Sequence, residues 1–154
     1  METKIKNLNK KDIPACLKII FRTGVSSSRA EAKKVMHFSL APGIKPFNPN
    51  YYTLWLDDKI IGVSGLYHDY EDPKNIMWMD YFAVLPEYQK QGHGTKMLEN
   101  LENICKKGKV KMLCVFTDKE GALEFYQKKG FKICGRIENY YNKGKPRVWL
   151  FKKI

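Results

Sequence analysis

The spacing of hydrophobic residues along this chain separates four helical segments from seven strands. Helices are predicted where apolar side chains recur every three to four positions, at residues 13–21, 28–40, 94–106 and 122–130. Strands are predicted where apolar runs are compact or alternating, around Ile5 and Leu8 and at residues 51–56, 60–67, 76–84, 112–116, 131–137 and 147–151. The predicted order is β, α, α, β, β, β, α, β, α, β, β.

Local signals set the ends of several of these elements. Asp12 is predicted to cap the first helix, and Ser28 with Glu31 three residues later predicts a capping box for the second. Pro86 is expected to end the strand at 76–84. Hairpins come first and a strand–helix–strand crossover follows, which favours an α/β (α+β) fold with a mixed sheet and helices on its faces. With 154 residues, 44% of them hydrophobic, a single domain over residues 1–154 is predicted.

The basic composition narrows the class of partner only slightly. Lys and Arg number 28 against 16 acidic residues, a formal charge of +12 that attracts polyanions. These charges are scattered, and no helix-turn-helix or aromatic RNA-binding motif accompanies them. We therefore expect no nucleic-acid partner, although a basic nucleic-acid-binding module remains an alternative interpretation.

Targeting and metal-binding signals are missing from the sequence. The start of the chain lacks the apolar stretch of a signal peptide, and no apolar run of about 18 residues predicts a membrane helix. A cytoplasmic protein without membrane contact is expected. The four cysteines, none closer than nine residues to the next, form no Cys-x-x-Cys pair, so no metal is predicted and free thiols in the core are expected: Cys16, Cys105, Cys114 and Cys134.

A glycine-containing loop between a strand and an amphipathic helix is the most informative segment. It comprises Gln89, Lys90, Gln91, Gly92, His93, Gly94 and Thr95. Glycines permit close approach of a ligand, and backbone N–H groups at a helix N-terminus favour a pyrophosphate. A Gly-x-Gly pair alone is weak, since an ordinary turn could carry it, and the segment is neither a Walker loop nor a dinucleotide fingerprint.

Two segments together carry a family resemblance. Residues 89–94, Gln-Lys-Gln-Gly-His-Gly, resemble the Arg/Gln-x-x-Gly-x-Gly/Ala motif of GNAT (GCN5-related) N-acetyltransferases, and residues 122–131 resemble the family's Ala-x-x-Phe-Tyr-x-x-x-Gly-Phe. The element order matches the family over nearly the whole chain. The resemblance implies the GNAT acyl-CoA N-acyltransferase fold, a mixed and mostly antiparallel sheet with helices on both faces. One departure is Lys119, which stands where the family often carries a cofactor-binding asparagine.

The resemblance also implies a cosubstrate and its site. Acetyl-CoA is expected between the splayed strands 76–84 and 112–116, with no metal. Its pantetheine would follow Phe82, Ala83 and Val84, the Val84 N–H would polarise the thioester carbonyl, and N–H groups of residues 91–95 would hold the pyrophosphate. Tyr126 is the predicted general acid for the leaving thiolate, with a core aromatic as the structural alternative.

The general base and the acceptor are less defined. Asp80, on the strand beside the expected thioester, is the predicted base, with a salt-bridged carboxylate as an equal alternative, and His68 ranks below it. Asp69, Glu71 and Asp72 could attract a cationic acceptor or could form a solvated loop. The predicted reaction is acetyl transfer to a primary amine of a small molecule or peptide, a small molecule being preferred, in a monomer or homodimer. A GNAT-fold sensor that binds acetyl-CoA without turnover is the alternative.

Overall fold

The computed structural model describes residues 2–42 and 49–154 and contains the predicted alternation of strands and helices. The strands are β1 (Thr3–Asn7), β2 (Asn50–Leu56), β3 (Lys59–Tyr67), β4 (Ile76–Val84), β5 (Met112–Thr117), β6 (Lys132–Asn142) and β7 (Lys145–Lys153). The helices are α1 (Ile13–Thr23), α2 (Arg29–Leu40), α3 (His93–Lys107) and α4 (Glu120–Lys128), and short 3-10 turns cover Lys10–Asp12 and Pro86–Tyr88. Within the described residues, the predicted element order is confirmed.

A seven-stranded sheet in the order β1-β2-β3-β4-β5-β7-β6 organises the described part of the chain. Neighbouring strands run antiparallel except β4 and β5, which are parallel because α3 carries the chain back between them. The predicted mixed, mostly antiparallel sheet is therefore confirmed.

Helices cover both faces of the sheet, as predicted. On one face, α3 and α4 bury Leu101 and Leu123 against strand residues such as Leu113 and Leu150. On the other face, α1 and α2 pack against β2, β3 and β4 in a second core. It comprises Leu8, Ile13, Cys16, Leu17, Ile19, Ile20, Ala32, Met36, Tyr51, Val63, Ala83 and Leu85. Full burial of each large aliphatic side chain contributes about 1.5–3 kcal/mol, so the two cores fix the sheet between the helix pairs.

The two predicted helix caps need correction. Ser28 Oγ accepts the Glu31 N–H at 3.2 Å, but the Ser28 N–H donates to Ser26 Oγ, so the capping box is only half formed. Asp12 does not cap α1 with its side chain; its carboxylate instead accepts the Asn9 N–H at 3.3 Å.

Cys134 lies exposed on β6, whereas the other three cysteines are buried. Because β6 is an edge strand whose side chains lie largely in solvent, the expectation that all four thiols occupy the core is wrong for this residue.

The last hairpin is longer than its apolar pattern indicates. The sequence predicts a strand at 131–137, but β6 continues to Asn142, where it pairs with Lys145 across a turn containing Gly144 at φ +79°. Cross-strand hydrogen bonding extends a ladder through polar residues that a hydrophobic pattern cannot detect.

Candidate active site

An opening at the centre of the sheet separates β4 from β5. The two strands pair at Ile76–Met112, Met77–Leu113 and Trp78–Cys114, and from Met79 onward no strand of the described residues pairs with β4 on this side. Unpaired backbone N–H and C=O groups need another partner, and an extended ligand with amide groups can supply it. The opening forms between the two strands that the sequence predicted.

A β-bulge on β4 redirects the side chains beside this opening. Gly65 pairs with Asp80 and Val63 with Ala83, so Ser64 lies opposite both Tyr81 and Phe82. Tyr81 has φ +44°, a left-handed conformation that costs a non-glycine residue about 1–3 kcal/mol.

The bulge determines which helices the successive β4 side chains face. Asp80 and Tyr81 both contact the α1/α2 side of the sheet, whereas Phe82 packs near Phe125 and Tyr126 of α4. The predicted pantetheine-binding residues Phe82, Ala83 and Val84 thus form the strand segment along the opening.

The predicted phosphate loop lies at the N-terminus of α3. Gly92 is the N-cap residue at φ +84°, and the first helical hydrogen bond runs from the Lys96 N–H to the Gly92 carbonyl at 3.0 Å. The N–H groups of His93, Gly94 and Thr95 precede that bond and have no partner within the helix. Free N–H groups and the helix dipole are together a combination that favours an anion.

The space around the loop fits a phosphate group. A Cβ built at Gly92 would meet nothing within 4 Å, and one at Gly94 would lie 3.5 Å from the Phe125 ring. Lys90 is exposed at φ +59° and adds a cation beside the loop.

Two side chains of the predicted phosphate loop also form hydrogen bonds within the protein. Gln89 Nε2 donates to the Val84 carbonyl at 2.8 Å, and Gln91 Nε2 donates to the Glu87 carbonyl at 3.1 Å. These bonds hold the turn between β4 and α3 in place.

Tyr126 projects from α4 into the core on the α3/α4 side. Its ring lies 5.4 Å from the Phe125 ring, 5.3 Å from the Phe131 ring and 6.1 Å from the Phe82 ring, measured between centroids. Burial raises the pKa of its hydroxyl above the ordinary value, so the group is protonated at neutral pH and can donate a proton or hydrogen bond.

Asp80 is held by a tyrosine from a different strand. Tyr51 Oη donates to Asp80 Oδ2 at 2.6 Å. Burial raises the pKa of Asp80, and the hydrogen bonds from the Tyr51 hydroxyl and the Tyr81 N–H oppose that rise. A carboxyl group whose pKa is raised is a better proton acceptor than an ordinary aspartate, which suits general-base chemistry.

Gly65 makes the space for this contact. A Cβ at this position would lie 2.5 Å from Cδ1 and Cε1 of Tyr51 and 3.0 Å from the Asp80 carbonyl oxygen. Any larger residue would push the Tyr51 ring away from the carboxylate.

A cavity of about 420 Å³ lies between α2 and the sheet beside Asp80. Its lining is mainly apolar and aromatic, with charged groups at a few points: Glu31, Lys34, Val35, Phe38, Pro49, Tyr51, Tyr67 and Asp80. The size and lining suit a small organic molecule with an ionic group.

The other predicted polar residues lie in local structures around the site. His68 Nε2 is 3.2 Å from the Pro73 carbonyl oxygen, and Asp72 Oδ2 accepts the Trp78 indole N–H at 2.6 Å. Asp69 Oδ1 accepts the Glu71 N–H at 3.0 Å. These hydrogen bonds give the acidic loop a structural role as a turn. They favour the solvated-loop interpretation over attraction of a cationic acceptor.

Lys119 occupies the N-cap position of α4. Its N–H donates to Thr117 Oγ1 at 3.1 Å, and its ammonium lies 3.2 Å from the point where a Cβ at Gly24 would stand. The side chain therefore extends from α4 to the end of α1.

Residues 2–42 and 49–154 contain neither a metal-binding cluster nor a membrane-spanning helix. No group of three or more His, Cys, Asp and Glu side chains comes together to hold a metal ion. No helix in these ranges has both the length and the apolar character to cross a membrane.

Sequence reasoning did not identify Tyr51 and Tyr67 as site residues among the many aromatics. Leu66 packs in the α3/α4 core, so Tyr67, the next residue of β3, lies on the other face of the sheet. For Tyr51 the contact with Asp80 depends on tertiary packing.

Comparison with known proteins shows the family of this chain. Residues 21–131 match the model of the acetyltransferase (GNAT) family. N-alpha-acetyltransferase 50 from Danio rerio is 32% identical over 95 residues, covering 60% of this chain and 56% of the relative. The spermine/spermidine N(1)-acetyltransferase of Bacillus subtilis strain 168 is 33% identical over 92 residues, covering 55% of this chain and 60% of the relative. The chain thus matches somewhat over half the length of these relatives.

Solved structures share the fold at low sequence identity. The ribosomal-protein-S18-alanine N-acetyltransferase from Escherichia coli superposes with a TM-score of 0.79 at 21% identity, covering 99% of this chain and 94% of that one. An aminoglycoside 6'-N-acetyltransferase in complex with coenzyme A gives 0.81 at 16% identity, covering 97% and 96%. With the family match over residues 21–131, the splayed strands and the glycine loop lead to one conclusion: the chain belongs to the GNAT acetyltransferase family.

Proposed function

We propose that this protein transfers the acetyl group of acetyl-CoA to a primary amine by direct attack in a ternary complex. The observation that carries the proposal is the position of Asp80, a carboxylate beside the opening of the sheet and on the wall of a 420 Å³ cavity. The loop at the start of α3 lies at the end of β4, where a pyrophosphate would bind. The cavity would hold the acceptor, and the opening between β4 and β5 would hold the pantetheine.

The reaction divides between two protein groups. An alkyl ammonium, with an ordinary pKa of about 10.4, must lose a proton before its nitrogen can attack. Asp80 accepts that proton, and the free amine then attacks the thioester carbonyl to form the C–N bond of a tetrahedral intermediate. The C–S bond then breaks, and the sulfur takes a proton from Tyr126. Tyr126 regains a proton from solvent or from the former amine nitrogen, which leaves a neutral amide and the CoA thiol. In this proposal the Val84 N–H would polarise the thioester carbonyl.

The relatives support amine acetylation and differ in acceptor. One carries the name of a spermine/spermidine acetyltransferase, and another that of an N-alpha-acetyltransferase. A small-molecule acceptor is proposed here because the cavity beside Asp80 has the volume of a small organic ligand.

The test measures both the binding of acetyl-CoA and its turnover with amines. Calorimetric titration should give saturable binding of acetyl-CoA, and a panel of amines should stimulate CoA release by the wild-type protein. Asp80→Asn should reduce kcat/KM about 10²–10⁴-fold while leaving the Kd for acetyl-CoA nearly unchanged, because a positioned base contributes that factor to the rate. Tyr126→Phe should reduce kcat in the same assay.

His68→Asn is the matched control, since it removes another titratable group near the site that is bound to a loop carbonyl. We expect its activity within about twofold of wild type. Acetyl-CoA binding without amine-dependent CoA release would favour the sensor alternative, and no acetyl-CoA binding would contradict the proposal.

A further inference from the structure

Aromatic rings surround Arg147 on β7. The guanidinium carbon lies 3.7 Å from the centroid of the Phe116 ring and 5.1 Å from those of Tyr140 and Trp149. Cation–π stacking of this kind fixes the plane of the guanidinium and leaves its N–H groups directed outward along its edges.

The Arg147 N–H groups form few hydrogen bonds with the described residues. Arg147 Nε is buried and has no hydrogen-bond partner among the described residues, and Nη1 makes only a 3.4 Å contact with Tyr140 Oη. The other arginines of the last hairpin and α1 are paired: Arg136 with Glu120 and Glu138, and Arg22 with Glu87.

No carboxylate of the described residues forms an ion pair with Arg147. The ion pairs of the described residues do not include it, and residues 1 and 43–48 contain neither Asp nor Glu. A partly buried guanidinium without a counter-ion leaves strong bidentate donors available to a carboxylate from outside the chain.

Arg147 lies on the same face of the sheet as the proposed acceptor site. Val148 and Leu150 are buried on the α3/α4 side, so the alternation of β7 places Arg147 and Trp149 on the opposite face. That face also carries Asp80 and the cavity residue Tyr67.

Tyr67 lies within electrostatic reach of both charged groups. Burial raises the pKa of Tyr67 to about 12; the charges of Asp80, Asp69 and Asp72 add to the rise, and the charge of Arg147 opposes it. The proposed base Asp80, on β4, and Arg147, on β7, therefore both act on the Tyr67 hydroxyl.

We propose that Arg147 binds a carboxylate of the acceptor, and that the acceptor is a small amine bearing a carboxylate, such as an amino acid. This inference rests on the proposed acetyl transfer and specifies its substrate class. The amine would lie at Asp80 in the cavity, and the carboxylate would extend beyond the cavity lining to the Arg147 fork. A polyamine would instead bring a like charge to Arg147, so this chain should differ in acceptor from its spermine/spermidine-named relative.

The test compares amines that differ only in a carboxylate. The pairs are lysine and cadaverine, ornithine and putrescine, tyrosine and tyramine, and phenylalanine and phenethylamine. For each, kcat/KM is measured by CoA release, and the Kd is measured calorimetrically with the CoA-loaded protein. In at least one pair the wild type should prefer the carboxylate member about tenfold or more, since a site built for a polar group discriminates strongly against its absence.

Variants assign that preference to the arginine. Arg147→Gln should abolish it, and Arg147→Lys should weaken it severalfold because lysine keeps the charge but loses the bidentate fork. Arg136→Gln removes the same charge from the adjacent strand and should leave the preference intact. Unfolding temperature and the Kd for CoA verify folding; if Arg147→Gln is unstable, the Arg147→Lys result decides.

The possible failures are distinguishable. Equal rates and equal Kd values within every pair, or a preference that survives in both Arg147 variants, overturns the inference and leaves amine acetylation in place. Arg147-dependent binding of the carboxylate members without any acetyl transfer supports the inference on binding and contradicts the proposed function.

Discussion

At the scale of single residues, the Asp80–Tyr51 pair shows how a common side chain acquires unusual chemistry. Burial disfavours the charged carboxylate, and the 2.6 Å hydrogen bond from Tyr51 partly restores it. Burial and the charge of Asp80 in turn raise the pKa of the Tyr51 hydroxyl, so this group remains a hydrogen-bond donor at neutral pH.

Tyr51→Phe should shift the pH dependence of the reaction. Its hydroxyl favours the ionised form of Asp80, so its loss raises the pKa of the base further, and the acidic limb of the kcat/KM profile should move to higher pH. Activity should fall most near and below neutral pH and recover, at least in part, under more alkaline conditions. A profile of steady-state rates with a fixed amine measures the shift.

Tyr52→Phe provides the control for this experiment. Tyr52 is the adjacent tyrosine on β2, on the opposite face of the strand, packed against the α3/α4 core. An unmoved acidic limb in Tyr51→Phe, or an equal movement in Tyr52→Phe, would contradict the role assigned to the Tyr51 hydroxyl.

How far the sequence predicted these residues depends on the range of the contact. Asp80 follows from the family resemblance, which places an acidic residue on the strand beside the expected thioester. Its hydrogen bond to Tyr51 spans 29 positions and depends on the absence of a Cβ at Gly65. Contacts between strands depend on register, which one-dimensional patterns specify poorly.

At the scale of elements, the joint between β4 and α3 combines a strand end, a turn and a helix start. Gly92 adopts φ +84° at the N-cap, which leaves the first N–H groups of α3 facing an open volume. The sequence predicted this arrangement well because glycine spacing, turn chemistry and helix periodicity are all local signals.

Gly92→Val should weaken acetyl-CoA binding. A β-branched residue at φ +84° is strained, and its side chain would occupy the space proposed for the pyrophosphate. We expect the Kd for acetyl-CoA, measured by calorimetry, to rise at least about tenfold, which corresponds to about 1.4 kcal/mol.

Gly144→Val is the matched control for backbone strain. Gly144 has φ +79° with nothing within 4 Å of a built Cβ, but it lies in the turn between β6 and β7. Both variants should lose about 1–2 kcal/mol of stability, and only the Gly92 variant should lose affinity. Equal losses of affinity would assign the effect to global strain.

At the scale of the whole molecule, packing in the two cores holds in place site residues that lower the stability of the fold. Helix pairs on both faces enclose the sheet, and Asp80 and the left-handed Tyr81 lie between them. A charged group that burial penalises and a strained residue persist only where surrounding packing over-determines them.

Asp80→Asn should therefore raise the unfolding temperature at pH 7. The pKa of Asp80 is raised above its ordinary value of 3.8, so the folded state binds the proton more tightly than the unfolded state. Its contribution to stability is present below pH 3.8 and is lost as the pH rises through the raised pKa. At pH 7 an uncharged asparagine avoids that loss, and each kcal/mol regained raises Tm by about 2–4 °C in a chain of this size.

Thermal unfolding of both proteins between pH 3 and pH 8 measures this difference. The gap in Tm should be largest near neutral pH and should narrow as the pH approaches 3.8. A variant less stable than wild type at pH 7 would show that the ionised carboxylate is fully compensated by its hydrogen bonds.

The sequence by itself determined the element order, the glycine loop and the position of Tyr126 on its helix. These depend on local periodicity, turn residues and motif spacing, which operate over a few positions. The family resemblance, rather than the sequence pattern, implied the two strands that separate at the centre of the sheet.

Only the tertiary structure decided the bulge at Tyr81, the Tyr51–Asp80 hydrogen bond, the exposure of Cys134 and the unpaired Arg147 among its aromatic neighbours. The physical reason is common to all four. Each depends on the register between strands distant in the chain, and on which volumes the packed side chains leave filled or open.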